Sequence, residues 1–202
     1  AEDGEILWKL TAESSTTFFG ASPTYIAMME KQDIQPAKHY DLSNIEGILL
    51  GGSPATPAAM AWCYENIKTD LWVTSQSGGT DIASAFVGAS PTLPVYAGEI
   101  QARCLAVDAK AFDDNGNSII NDVGELVICQ PMPSMPVYFW NDTNNARYLS
   151  SYFEKFPGLW CHGDYFQINN RRGCYIQGRS DSTLNRYGVR IGTGKFIVVL
   201  NK

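Results

Sequence analysis

IEGILLGGSPATPAAMAWCYENIKTDLWVTS, residues 45–75, is the stretch that decides the fold. IEGILL (45–50) is a short apolar run that stops at Gly51-Gly52, the pattern of a strand buried on both faces in a parallel sheet. Pro57 opens a helix over AAMAWCYENIK, because a first helical turn tolerates a residue without an N–H. LWVTS (71–75) is the next strand. Strand, helix and strand joined by short turns make a βαβ unit, so the predicted class is α/β, a sheet layered with helices.

Upstream, Ser22-Pro23 before TYIAMMEKQ supplies an N-cap, a proline in the first turn and an apolar stripe at Tyr25, Ile26 and Met29. That predicts another helix. Downstream the character changes near Pro91. EIQARCLAVDAKAFDDNGNSII and VGELVICQP read as strands around the turn Asp114-Asn115-Gly116, and WCHGDYFQIN and GCYIQGRSD as strands around a turn at 169–173. One helix is expected after Asn141-Asp142. This half reads as a small antiparallel barrel or sandwich. The resulting division is an α/β sandwich part at 1–92 and a β-barrel-like subdomain at 93–178.

With 202 residues and 45% hydrophobic side chains, the chain can bury a sizeable core. A net charge of -6 without a dense Lys/Arg run argues against a nucleic-acid partner. No apolar run nears the ~20 residues of a membrane span. AEDGEILW has no signal core and no initiator Met, which leads us to expect a chain that begins in mid-protein. Cys63, Cys104, Cys129, Cys161 and Cys174 are scattered, with only His39 and His162 beside them, so no structural zinc is expected. Free thiols of this kind fit the cytosol. Asn141-Asp142-Thr143 is formally a glycosylation sequon, of consequence only in a secreted protein.

In open α/β sheets, ligands bind beyond the carboxyl ends of the strands. GGSPAT (51–56) and SQSGGTD (75–81) both lie there, on successive parallel strands. Glycines let backbone approach a ligand, and Thr80-Asp81 adds a hydroxyl and a carboxylate of the kind that holds Mg²⁺ beside a phosphate. The alternative is that these glycines only make tight turns.

These two stretches and LPVYAGEIQ, GELVICQPMPSMP, FWND, YFEKFPGLWCHGD and GRSDSTLNRYGVRIGT together resemble the AMP-forming acyl-CoA synthetases. The seven occur in the family's order between residues 51 and 193. The resemblance implies part of an adenylate-forming N-terminal domain that ends at an inter-domain hinge, with 179–202 as hinge and truncated C-terminal segment. It implies an acid–thiol ligase of fatty acid metabolism that makes an acyl-adenylate from carboxylate and ATP, then passes the acyl group to coenzyme A. Gly52, Ser53 and Pro54 would line the adenine, and Ser77 and Gly79 would also meet the nucleotide. Thr80 would contact the α-phosphate, and Asp81 stands where relatives carry a Mg²⁺-binding Glu. Asp164 would accept hydrogen bonds from the ribose hydroxyls, Arg179 would bind ribose or phosphate, and Arg190 would face the phosphate. Thr80, Asp81 and Arg190 would thus carry the catalysis. Asp181 would be the hinge, and Gly188 lies where relatives pass the pantetheine arm.

In acetyl-specific relatives a Trp and a Val close the acyl pocket, at the places of Gly78 and Gly51. Their loss implies room for a larger acid, acetoacetate. Plainer readings stand beside these: Asp164 capping a hairpin, Arg179 and Asp181 as a surface ion pair, and His162 as an ordinary strand residue. The family's phosphate-clamping loop and its lysine-bearing domain are not matched, so an incomplete chain without turnover of its own is expected. The alternatives are another short-chain acyl-CoA synthetase or a non-catalytic nucleotide-binding fragment.

Overall fold

The computed structural model describes residues 4–181 and the backbone of 183–186 and 189–192. The chain forms two units, Ala1–Gln76 with Ala89–Gln101, and Ser77–Gly88 with Ala102–Lys202. Beside the expected boundary at residue 92, this division gives 77–88 to the second unit and 93–101 to the first.

The first unit contains α1 (Ile6–Glu13), β1 (Phe18–Ala21), α2 (Pro23–Lys31), β2 (Gly47–Leu50), α3 (Pro57–Asn66) and β3 (Trp72–Ser75). The strands form a parallel sheet in the order β1-β2-β3, as the apolar runs at 45–50 and 71–75 predict. Leu50 pairs with both Ala21 and Ser75, so the three strands end level with one another. Both expected helices are present, the first with its expected cap and the second with a cap at Thr56 that the sequence reading did not name. Ser22 Oγ accepts from the Tyr25 amide at 3.1 Å, and Thr56 Oγ1 from the Ala59 amide at 3.1 Å. Each side chain satisfies a donor that the first helical turn leaves without an intrahelical partner.

The core joins α1, α2 and α3 to the sheet through Trp8, Ile26, Met29, Ile48, Leu50, Met60, Cys63 and Val73, all at most 1% exposed. Burial at that level contributes roughly 1.5–3 kcal/mol for each large apolar side chain. Gln101 is the polar counterpart. Its Nε2 donates to the Ser90 and Leu93 carbonyls at 2.9 and 2.7 Å, while its Oε1 accepts from Trp72 Nε1 at 3.0 Å. One buried amide therefore ties the 90–93 loop to β3.

The second unit begins with β4 (Ser77–Gly79), β5 (Ser84–Gly88) and β6 (Ala102–Arg103), an antiparallel sheet in the order β4-β5-β6. Next come β7 (Ala109–Phe112), β8 (Ser118–Ile119), β9 (Gly124–Ile128), α4 (Ala146–Tyr152), β10 (Trp160–Ile168) and β11 (Cys174–Arg179). They build a five-stranded antiparallel sheet in the order β11-β10-β9-β7-β8. β12 (Thr183–Arg186) pairs antiparallel with β13 (Val189–Gly192), with Asn185 opposite Arg190. The antiparallel character is as expected. Closure into a barrel is not seen: among the described residues the sheets stay separate, with β8 and β11 as open edges.

Candidate functional site

The two glycine turns differ in construction. In the first unit Gly51 continues the sheet, its amide donating to the Ala21 carbonyl at 3.0 Å. Gly52 has φ +86°, a left-handed conformation that favours glycine. A Cβ at either position would meet nothing within 4 Å. Ser53 and Pro54, half-buried, complete the turn into α3, and Ser75 Oγ donates to the Leu50 carbonyl at 2.7 Å across the strand ends. The structure therefore brings Gly51, Gly52, Ser53 and Pro54 together at one end of the parallel sheet.

In the second unit SQSGGTD is no free turn. Gly78 pairs with Ala85 across β4 and β5, where the register shifts. A Cβ there would lie 2.0 Å from the Ser84 carbonyl oxygen and 2.6 Å from Ala85 Cα. This corrects the reason expected for Gly78: the missing side chain admits a neighbouring strand's backbone, which leaves no place for a pocket-closing Trp. Gly79 is crowded too, its Cβ position being 2.8 Å from His162 Cε1. Thr80 and Asp81 then form an exposed single turn that ends at Ala83, whose φ is +47°.

β10 supplies the groups opposite this turn. Asp164, 6% exposed, directly faces Arg179 of β11, at a point where their register shifts. Arg179 Nη1 donates to Asp164 Oδ1 at 3.3 Å and Nε to Asp181 Oδ1 at 2.9 Å, while Nη2 donates to the second Asp181 oxygen. The guanidinium thus grips Asp181 with two nitrogens and Asp164 with a third. Asp164 caps no hairpin; it lies inside β10. The ion pair between Arg179 and Asp181, the plainer reading of those residues, is present. Gly163 permits it, with φ +81° and a Cβ position 2.9 Å from Arg179 Nη2.

Burial pushes the Asp164 carboxyl up to about 6, the nearby Arg179 charge offsetting only part of that cost. Asp181 is held below the usual carboxylate range by the hydrogen bonds from Arg179. Burial, with the Arg179 charge, draws His162 down to about 4, so it is a neutral imidazole near neutral pH. Its Nε2 lies 3.3 Å from the Gly78 carbonyl and 3.8 Å from Asp164 Oδ2, and Trp160 Nε1 donates to its Nδ1 at 3.3 Å.

Ser77, Gly79, Thr80, Asp81, Asp164, Arg179 and Asp181 all belong to this second unit. The side chain of Arg190 and the whole of Gly188 lie outside the described residues. Sequence reading missed two participants. Tyr152, at the end of α4, donates its hydroxyl to Asp81, and its ring stacks on Trp160 at 3.6 Å. Glu125, 5% exposed on β9, accepts from Ser180 Oγ at 2.6 Å and Lys155 Nζ at 3.0 Å. A buried Glu inside GELVI was the available signal, since burial of a carboxylate requires partners. A cleft of about 620 Å³ lies among Glu125, Tyr152, Lys155, His162, Arg179 and Asp181.

Among the described residues no group of three or more His, Cys, Asp or Glu is placed to hold a metal. One carboxylate, Asp81, is still enough for a Mg²⁺ that takes its other oxygens from phosphate and water. Tyr152 occupies one of its two oxygens. The donor set fits that ion and none that requires a protein cage.

A solved anthranilate CoA ligase, AuaEII, superposes with a TM-score of 0.77 at 16% identity over 95% of this chain, so the chain shares the fold of part of that structure. In sequence as well as fold the chain is similar to acetoacetyl-CoA synthetases. The structure of the Streptomyces lividans enzyme matches 96% of the chain with a TM-score of 0.87 and 43% identity. The Xenopus tropicalis enzyme is 41% identical over 94% of the chain, and the Rhizobium meliloti enzyme 42% over 96%. The chain spans 28% and 30% of the length of those two relatives. No protein-family model matches it.

Proposed function

We propose that this chain is the nucleotide- and acyl-binding segment of an ATP-dependent acetoacetate:CoA ligase acting in the cytosol. The observation that carries this reading is the joint match in sequence and fold, at 43% identity and a TM-score of 0.87, over 96% of the chain. The complete ligase would join acetoacetate to the α-phosphate of ATP, releasing pyrophosphate. It would then transfer the acyl group from AMP to the coenzyme A thiol. In this reading the three-stranded and five-stranded antiparallel sheets correspond to the barrel-like subdomain of such enzymes.

Each residue's part follows from its chemistry. Gly52, with Ser53 and Pro54, would offer backbone to the adenine, and Gly51 leaves room for the acyl chain. Asp164 would accept from the ribose hydroxyls, adding charged-acceptor hydrogen bonds to the one it already takes from Arg179. Arg179 and Thr80 would meet the α-phosphate, with Arg190 added from β13. Asp81 would hold Mg²⁺, which supplies neutralisation of phosphate charge when bound. Asp181, gripped by Arg179, would be the fixed end of the hinge, and Gly188 would border the pantetheine arm.

Calorimetry on the purified chain tests this. AMP or a non-hydrolysable acetoacetyl-adenylate should bind at least as well as ATP, since the residues assigned here address adenosine and the α-phosphate. Asp164→Ala should weaken AMP roughly tenfold or more, the size of a hydrogen bond to a charged group. Absence of AMP binding at millimolar concentration, or an unchanged affinity in Asp164→Ala, would defeat the assignment.

A further inference from the structure

We propose that Tyr152, Trp160 and His162 are positioning residues that hold the turn Gly78–Asp81 at both of its ends, an inference that rests on the nucleotide-site reading for its purpose but not for its test. At one end the Gly78 carbonyl faces His162 Nε2 at 3.3 Å. At the other the Asp81 carboxylate accepts from the Tyr152 hydroxyl. Trp160 joins the two contacts, stacking on Tyr152 with ring centroids 3.6 Å apart and donating Nε1–H to His162 Nδ1 at 3.3 Å.

The chemistry permits one arrangement of protons. An indole nitrogen can only donate, so His162 Nδ1 must be the bare acceptor nitrogen. In the neutral ring Nε2 then carries the proton and donates to the Gly78 carbonyl. The other neutral tautomer would lose both bonds at once. Trp160 and His162 are two apart on β10, and strand alternation sets them on one face. Phe86 closes the far side of the imidazole edge-on at 4.7 Å, and the bare Cα of Gly79 lets the ring approach the turn. Core filling alone would require neither a fixed tautomer nor hydrogen bonds to both ends of one short segment, half-buried at Gly78 and exposed at Asp81.

The test uses the 202-residue chain without nucleotide, so its failure is separate from any failure to bind AMP. ¹⁵N-resolved NMR of the histidine ring should show a single neutral Nε2–H tautomer for His162. Trp160→Phe keeps an aromatic ring and removes the donor. It should mix the tautomers and speed amide exchange at 78–81 by about twofold to tenfold, the factor corresponding to one net hydrogen bond. Tyr152→Phe should speed exchange around Asp81 by a similar factor and leave the tautomer unchanged. A Nδ1–H or mixed tautomer in the unaltered protein overturns the proposal, as does unchanged exchange at 78–81 in Tyr152→Phe. Both of those measurements decide the matter even if Trp160→Phe does not fold.

Discussion

GGSPATP and SQSGGTD have the same texture in sequence, yet their glycines are there for opposite physical reasons. Around Gly51 and Gly52 a Cβ meets open space; at Gly78 it meets a carbonyl oxygen at 2.0 Å and at Gly79 an imidazole carbon at 2.8 Å. One turn is small to leave a volume empty, the other to let backbone and ring close upon it. The contrast matters for specificity. The open space at Gly51 is compatible with the acyl pocket proposed above, and the crowding at Gly78 is not.

The largest effect should come from filling the closed turn. Gly78→Trp has no rotamer that avoids the Ser84 carbonyl and should prevent native folding of the second unit. Gly78→Ala should cost at least about 1–3 kcal/mol, the range for overpacking, and more where the obstacle is backbone. Urea denaturation of purified variants measures it. A Gly78→Trp chain with an unchanged midpoint would erase the distinction between the two turns.

Asp164 should show the next largest effect, with the sign reversed. A carboxyl raised from 3.8 to about 6 contributes stability that is fully present below pH 3.8 and lost as pH rises through 6. The displacement corresponds to about 3 kcal/mol as an upper figure. Asp164→Asn should therefore stabilise the empty chain at pH 7, and that advantage should vanish below about pH 4. His162 works the other way. Lowered from 6.5 to about 4, it contributes stability present above pH 6.5 and lost as pH falls through 4. In the native chain the two changes oppose each other on acidification. Asp164→Asn should expose the protonation of His162 as a stability loss between pH 6.5 and 4, seen in urea midpoints across that range. A pH-independent gain would mean that the Asp164 charge is not the source.

The turns also divide what sequence could reveal from what it could not. β2, α3 and β3 were legible because the apolar runs and Pro57 each report a local preference. β4 and the start of β5 were not. Ser77-Gly78-Gly79 has no alternation of large and small side chains, and its pairing rests on backbone fit across a register shift. β1 and α1 were likewise unread, β1 being four residues long and α1 having no side-chain cap. In the site, Asp164, Arg179 and Asp181 came from motif resemblance, and the structure does bring them together. Tyr152 and Trp160 were given no part in the site. An aromatic run tells nothing of which hydroxyl or N–H will find a partner until the fold sets their distances.

A smaller effect should separate the neighbours Gly79 and Gly52. Gly79→Ala pushes against a ring that can shift slightly, so a cost near 1 kcal/mol is expected. Truncating the ring in His162→Ala should reduce that cost in a double-mutant cycle, because the two sites share one contact. Gly52→Ala has free space but a positive φ, for which L-residues pay about 1–2 kcal/mol. Its cost should be unaffected by His162→Ala. Equal coupling of both glycines to His162 would refute the assignment of strain to one and crowding to the other.

The smallest expected change in stability is at Gly51, and it is the most informative about function. Its amide bond to the Ala21 carbonyl survives in Gly51→Ala, its φ is not positive, and nothing lies within 4 Å of the new methyl. Replacing Gly by Ala at a compatible backbone position narrows the unfolded ensemble and stabilises by about 0.4–1 kcal/mol. The variant should thus be as stable as the native chain or slightly more so. If the open space is where an acyl chain lies, the same methyl should weaken an acetoacetyl-adenylate analogue about tenfold, the scale of one carbon in an apolar pocket, and leave AMP affinity unchanged. Calorimetry with both ligands separates the outcomes. Equal weakening of AMP would move Gly51 from the acyl side of the site to the nucleotide side. No change in either ligand would make the emptiness at Gly51 a property of the turn alone.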